Sequence, residues 1–195
     1  MNALLIVVAI VILAMGTMLF QMLRTPAGIV REHHVEQGRI FSKTSTVVDA
    51  SLDEAIRLLR TDWSWWKKAH AGTRKDLGDG RTEFVFHPIR FFDAIDVPPR
   101  FVVRFDRTET LADGGTCIHA TLTGDFDGRA EYTARPGPGG TFVELAWCGA
   151  EVRGALKNAP IALVAAVHCW RERLGVQGLR ARLESGARGG AAVSS

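Results

Sequence analysis

From Asn2 to Leu23 no side chain carries a charge, and Leu4-Leu5-Ile6-Val7-Val8-Ala9-Ile10-Val11-Ile12-Leu13 runs without a polar residue. At about 1.5 Å per residue a helix over this stretch spans the roughly 30 Å hydrocarbon core of a bilayer. A cleaved secretory leader is the competing reading; it needs a basic start and a shorter apolar region of about 7–15 residues, and neither is present. Thr25-Pro26-Ala27 only weakly imitates a cleavage site. A buried core helix is disfavoured, because about twenty continuous apolar residues exceed what a domain of this size encloses. Residues 2–23 are therefore read as a single-pass transmembrane anchor, which leaves the rest of the chain to fold beside a membrane.

The flanks set the expected orientation. Only the α-amine precedes the apolar run, while Arg24, Arg31, Arg39 and Lys43 follow it, so the positive-inside tendency puts the domain on the cytoplasmic face. Glu32 and Glu36 lie in the same stretch but weigh little in that rule. Cys117, Cys148 and Cys169 are odd in number and widely spaced. With no CxxC or Cys/His spacing they read as reduced thiols, and neither a metal nor a cofactor is expected. A net charge of +3 does not mark a nucleic-acid surface.

Residues 24–39 are polar, contain Pro26, Gly28 and Gly38, and show no sustained periodicity; they read as a juxtamembrane linker. The His33-His34 pair within it is better explained by solvation than by metal, since neighbours on one backbone rarely aim at one ion. Ile40 to Val48 is β-branched and reads as a strand. Ser51-Leu52-Asp53-Glu54 has the form of a capping box, so a helix starts near Leu52 and buries Ala55, Ile56, Leu58 and Leu59. Trp63-Ser64-Trp65-Trp66-Lys67-Lys68 follows, the densest aromatic cluster in the chain.

Between Arg74 and Val152 short strands alternate with glycine-rich turns, giving about six antiparallel strands. Phe84 and Phe86 oppose Val85 and His87, and Ile118, Ala120 and Leu122 oppose Cys117, His119, Thr121 and Thr123, so one face is apolar and the other polar. From Asn158 onward Leu163, Val167, Trp170, Leu174, Leu179 and Leu183 form a helical stripe. Residues 186–195 are small and polar and read as a disordered tail. The fold class expected is α+β: a curved antiparallel sheet of about seven strands around one long C-terminal helix.

This order, over residues 40–185, resembles the helix-grip (SRPBCC) superfamily, which includes START-like lipid-transfer domains, polyketide cyclase/dehydrase proteins and Bet v 1-like plant proteins. Local wording carries part of the resemblance: Val47-Val48-Asp49-Ala50-Ser51-Leu52-Asp53-Glu54-Ala55, then Gly124-Asp125-Phe126-Asp127-Gly128-Arg129-Ala130-Glu131-Tyr132, then Cys169-Trp170-Arg171-Glu172-Arg173-Leu174-Gly175-Val176-Gln177-Gly178-Leu179-Arg180. The resemblance implies a hydrophobic cavity for a lipid or another apolar molecule, without fixing a chemistry.

An enzyme of the cyclase or aromatase kind would need an acid or base inside that cavity. Among His87, Arg90, Asp93, Arg104, His119 and Glu144, strand phase turns His119 and Glu144 outward, and an outward Arg104 is the better reading. No catalytic or metal constellation stands out. The candidate lining, equally the residues of a solid core, is Phe84, Phe86, Phe101, Val103, Ile118, Leu122, Val143, Leu145, Trp147, Val167 and Trp170. Trp63, Trp65, Trp66, Lys67 and Lys68 read either as core under a short helix or as a portal meeting the bilayer, where indole and ammonium groups are favoured. The expected function is membrane-anchored binding of a hydrophobic small molecule or lipid, with local transfer or sensing as its use. A cyclase-like enzyme and a ligandless membrane-tethered scaffold are the alternatives.

Overall fold

The computed structural model describes residues 27–62, 65–66, 72–78, 81–86, 89–91, 95–97 and 99–191, with Gly16 alone before them. The segment read as an anchor lies otherwise outside the described residues. Among those described, no helix is long and apolar enough to cross a membrane.

Side-chain alternation organises one eight-stranded antiparallel sheet. In chain order its strands are β1 (Ile29–Glu36), β2 (Arg39–Val48), β3 (Gly72–Gly78), β4 (Arg81–Phe86), β7 (Phe101–Thr110), β8 (Thr116–Gly124), β9 (Phe126–Gly137) and β10 (Gly140–Val152). Their spatial order is β1-β2-β10-β9-β8-β7-β4-β3, so the closing strand β10 pairs with β2 near the start of the domain. Residues β5 (Ile89–Phe91) and β6 (Ile95–Val97) form a separate two-stranded ribbon. Helix α1 (Leu52–Thr61) links β2 to the rest, and α2 (Ile161–Ala191) closes the chain. On β8 the inward set is Ile118, Ala120 and Leu122, and on β10 it is Val143, Leu145 and Trp147, as the alternation predicts.

Four local expectations need correction. The stretch 24–39, read as linker, contains β1, paired residue for residue with β2 from Ile29↔Thr46 to Glu36↔Arg39. As an edge strand β1 buries little beyond Ile29, so it lacks the apolar alternation that marks internal strands and is held by its backbone ladder. The stretch read as a disordered tail is helical through Ala191, because an established helix propagates cheaply through residues that would not nucleate one. Between Arg74 and Val152, where about six strands are expected, Ile89–Phe91 and Ile95–Val97 pair as a further ribbon outside the main sheet. The capping box is half formed: Ser51 Oγ accepts from the Glu54 N–H at 3.2 Å, but the Glu54 carboxylate turns to Arg57 at 2.7 and 2.9 Å instead of back to the cap.

The helix stripe is also displaced. The buried face of α2 runs through Ala165, His168, Cys169, Glu172, Val176, Leu179 and Leu183, whereas Leu163 is 57% exposed and Val167, Trp170 and Leu174 are half-buried. Reading hydrophobicity alone skips His168 and Glu172, which occupy core-facing positions, and shifts the first half of the stripe by about one residue.

The Trp-rich segment meets α2 at two glycines. A Cβ at Gly175 would lie 2.8 Å from the Trp66 ring, and one at Gly178 would collide with the Trp65 carbonyl. Trp65 and Trp66 are consequently 5% and 8% exposed and stack at 5.1 Å. Replacing a helix-interior glycine by alanine ordinarily gains about 1 kcal/mol. Gly178→Ala should instead cost about 1–2 kcal/mol, because the added methyl meets backbone rather than a yielding side chain. Urea unfolding followed by tryptophan fluorescence checks the sign, and a stabilised variant would show the contact to be loose.

Candidate ligand site

The site begins with a corner between β8 and β9. Asp125, 8% exposed, accepts the Arg100 N–H at 2.7 Å through Oδ2 and the Ala155 N–H at 2.9 Å through Oδ1. Its own N–H donates to the Arg100 carbonyl at 2.9 Å, and its carbonyl accepts from the Arg153 N–H at 2.8 Å. One residue thereby ties the approach to β7, the start of β9 and the turn after β10. Gly154 sits in that turn at φ 54°, and a Cβ there would collide with the Asp125 carboxylate; only glycine combines that backbone conformation with that approach.

Between this corner and the first turns of α2 lies a cavity of about 180 Å³. Pro99 and Phe101 from the β7 side, Phe126 from β9, and Leu156 and Ala159 from the connection to α2 supply most of its apolar wall. The helix contributes Leu163, Val164, Val167, His168 and Arg171, which recur on one face. Phe126 meets Phe101 at 5.5 Å and Trp147 at 4.8 Å, both edge-on, and Trp147 stacks on the His168 ring at 3.5 Å. Aromatic packing therefore fixes the imidazole that borders the cavity.

His168 stands where the cavity face and the sheet face of α2 meet. On the sheet face, β2 turns Ile40, Ser42, Thr44, Thr46 and Val48 inward, so hydroxyls, not aliphatic groups, oppose the helix. Ser42 Oγ lies 3.2 Å from His168 Nε2, Thr44 Oγ1 donates to Glu172 Oε2 at 2.8 Å, and His168 Nε2 is 3.9 Å from Glu172 Oε1. Burial pushes the Glu172 carboxyl up to about 8, against the pull of the Thr44 and Ser42 hydroxyls. Burial, then the charge of Arg171, pushes the His168 imidazole down to about 3. Both groups are thus neutral near pH 7 in a hydroxyl-lined pocket of the core. Burial also lowers Arg171, to about 10, which leaves it cationic. Cys169 is raised to about 12 by burial and then by Glu172, so it is an inert thiol.

Of the lining residues named from the sequence, the structure brings Phe101 and Val167 to the cavity. Phe84, Val103, Ile118, Leu122, Val143, Leu145 and Trp147 pack into the contiguous core. Trp170 is half-buried, with a buried Nε1 that finds no hydrogen-bond partner among the described residues. Phe86 is placed on β4 but its side chain lies outside the description. For the portal, burial of Trp65 and Trp66 puts both rings in the core and not at a surface; Trp63, Lys67 and Lys68 lie outside the described residues.

His119 sits on the outer face between Glu109 at 3.1 Å and Glu131 at 3.3 Å, Glu144 faces outward, and Arg104 pairs with Asp106 at 2.9 Å, in line with strand phase. The side chains of His87, Arg90 and Asp93 lie outside the description. His33 and His34 fall on opposite faces of β1, and His34 stacks on Phe41 at 4.9 Å.

The sequence reading missed Asp125, His168, Arg171 and Glu172. Two signals were available. Lys43 in β2 has to face outward, which turns Ser42 and Thr44 inward, and His168 and Glu172 stand one helical turn apart.

No protein-family model matches the chain, and no curated protein matches it in sequence. Among solved structures it is similar to the STAR-related lipid transfer protein of Xanthomonas axonopodis, with TM-score 0.59 and 15% identity, covering 82% of this chain and 96% of that one. It is also similar to human STARD10, with TM-score 0.58 and 11% identity over 80% of this chain and 69% of that one. Human StAR-related lipid transfer protein 5 gives TM-score 0.56 and 14% identity over 89% of this chain and 95% of that one. The fold is that of the START-like helix-grip domains. The resemblance seen in the sequence holds at the level of fold.

Two outcomes follow from this geometry. Asp125→Ala leaves the Arg100 and Ala155 amides without their acceptor, so it should lower stability by about 2–4 kcal/mol in urea unfolding; a loss under about 0.5 kcal/mol would show that the corner holds without it. For pH, Glu172 titrates above its ordinary 4.5, so the stability it confers when protonated is full below pH 4.5 and is lost as pH rises towards 8. His168 titrates below its ordinary 6.5, so its share is full above pH 6.5 and is lost as pH falls towards 3. Between 4.5 and 6.5 the two slopes oppose each other. From pH 6.5 to 8 only Glu172 acts, at up to about 2 kcal/mol. Glu172→Gln should flatten that alkaline fall, and an unchanged pH profile in the variant would remove Glu172 as its cause.

Proposed function

We propose that the protein binds a hydrophobic small molecule, or part of a lipid, in the cavity under the first turns of α2. The observation that carries this reading is the apolar space of about 180 Å³ between Phe101, Phe126, Val164 and Val167. Its size suits one ring or a short chain, since a dry apolar cavity of about 150 Å³ takes benzene, and whole drug-sized ligands occupy about 300–1,000 Å³. A larger lipid would enter by part of its length or by displacement of the wall. Leu163, 57% exposed at the edge of the cavity, supplies an apolar rim for such entry.

Membrane attachment through residues 2–23, with the domain on the cytoplasmic face, belongs to the same proposal and rests on the apolar run. Residues 24–28 separate that run from β1, and a tether of five residues reaches at most about 18 Å. A bound molecule exchanged with the bilayer would move locally, at one membrane or at a close contact between two, as transfer or as sensing. Of the enzyme reading's candidates, His119 and Glu144 face away from the cavity. Glu172 faces β2 behind the hydroxyl of Thr44 and does not border the cavity.

Val167→Trp fills the cavity from its helix wall without touching the sheet-facing residues. In the whole chain held in an amphipol, it should reduce binding of octanol at least tenfold while the far-ultraviolet circular dichroism stays that of the wild type. Wild-type protein that takes up no octanol would overturn the proposal.

A further inference from the structure

We propose that the ligand of this cavity is a neutral alcohol, one ring or a short chain with a single hydroxyl, and that Nδ1 of His168 holds that hydroxyl. This rests on the reading of the cavity as a ligand site and adds the class of molecule and the residue that selects it. His168 borders the space on its helix wall. Its ring is fixed, with Trp147 stacked on it at 3.5 Å and Phe126 at 6.0 Å. Nε2 is engaged on the sheet side, 3.2 Å from Ser42 Oγ. Nδ1 meets no hydrogen-bonding group among the described residues, and it is not one of the polar atoms sealed inside the core without a partner. Because His168 as a whole is buried, the open surface that Nδ1 keeps is that of the cavity.

Charge and tautomer then select the head group. Burial, and after it the charge of Arg171, pushes the imidazole down to about 3, so it is neutral at pH 7. A neutral ring offers a carboxylate no opposite charge, and a buried charge without one is costly. Arg171, on the same wall, has a partner of its own within the protein. A neutral imidazole carries one N–H and one bare nitrogen, and a serine hydroxyl can donate to Nε2 or accept from it. Nδ1 is therefore an acceptor in one tautomer and a donor in the other. A hydroxyl answers both states, because it donates and accepts, whereas a carbonyl oxygen answers one and an alkyl group neither. Apart from His168 and Arg171 the wall is aliphatic and aromatic, which matches a hydrocarbon body.

The test uses the whole chain in an amphipol and isothermal titration at pH 7 with benzyl alcohol, ethylbenzene and benzoate. The first two share a shape, with a hydroxyl in place of a methyl. The readout is the affinity for benzyl alcohol divided by that for ethylbenzene, a ratio in which the cost of leaving water is the same for every variant. His168→Gln puts its amide where Nε2 stands and can keep the bond to Ser42, but it has nothing at Nδ1, so the ratio should fall about fivefold. His168→Phe keeps a ring against Trp147 and should show the same fall, which covers the case in which His168→Gln fails to fold. His168→Asn puts its amide where Nδ1 stands and should hold the ratio within about twofold. A ratio unchanged in both His168→Gln and His168→Phe would overturn the assignment while leaving the cavity a ligand site. Benzoate bound more tightly than benzyl alcohol by wild type would overturn it as well. If wild type binds none of the three, the reading of the cavity itself fails.

Discussion

The carboxylate and backbone of Asp125 hold three chain segments at one corner: the residues entering β7, the start of β9 and the turn leading to α2. Phe101 pairs with Gly124 and Phe126 with Val152, and the bonds of Asp125 carry those ladders on into the turns where they end. Charge-assisted bonds to backbone amides are among the stronger local interactions in a folded chain. Their consequence is positional. Pro99, Phe101, Phe126, Leu156 and Ala159, which wall the cavity, all lie within a few residues of the bonds that Asp125 makes.

Against that corner the C-terminal helix presents two adjacent faces of different character. One packs on β2, where the inward set includes Ser42, Thr44 and Thr46, and it carries His168 and Glu172 to meet them. The other overlooks the cavity with Leu163, Val164, Val167 and Arg171. Burial suppresses the charge of His168 and Glu172 but cannot remove that of Arg171, whose ordinary value lies far above neutrality. The result is an apolar site bordered by His168, which is neutral, and by Arg171, which keeps its charge. At the opposite half of the helix, Gly175 and Gly178 let Trp65 and Trp66 approach the backbone, which seals that part of the core with indole rings.

Much of the architecture is legible in the sequence. The strand at residues 40–48, the helix from Leu52, the six main-sheet strands after residue 72 and the last helix all follow from alternation, capping and turn residues. Strand phase also placed His119, Glu144 and Arg104 outside, because each alternates with residues too apolar to be exposed together. The edge strand β1 was hidden because a strand at a sheet edge needs little apolar periodicity. The cavity was hidden for a different reason: Phe101 and Phe126 come from separate strands and meet α2 only after the corner is tied. From the sequence, Trp65 and Trp66 admit both a core and a surface reading. Their burial depends on two distant glycines of α2.

The sequence by itself determined the periodicities, and with them the antiparallel sheet, the long closing helix, the polar outer face and the apolar run at residues 2–23. These are properties of neighbours along the chain, and propensity and alternation act at that range. The tertiary structure alone decided which apolar residues line open space and which fill the core, since that depends on how far two surfaces stand apart and not on what each is made of. It also decided the charge states of His168 and Glu172, because a titration is set by burial and by the groups across the contact. Ser42 and Thr44 lie more than a hundred residues from the helix positions they face.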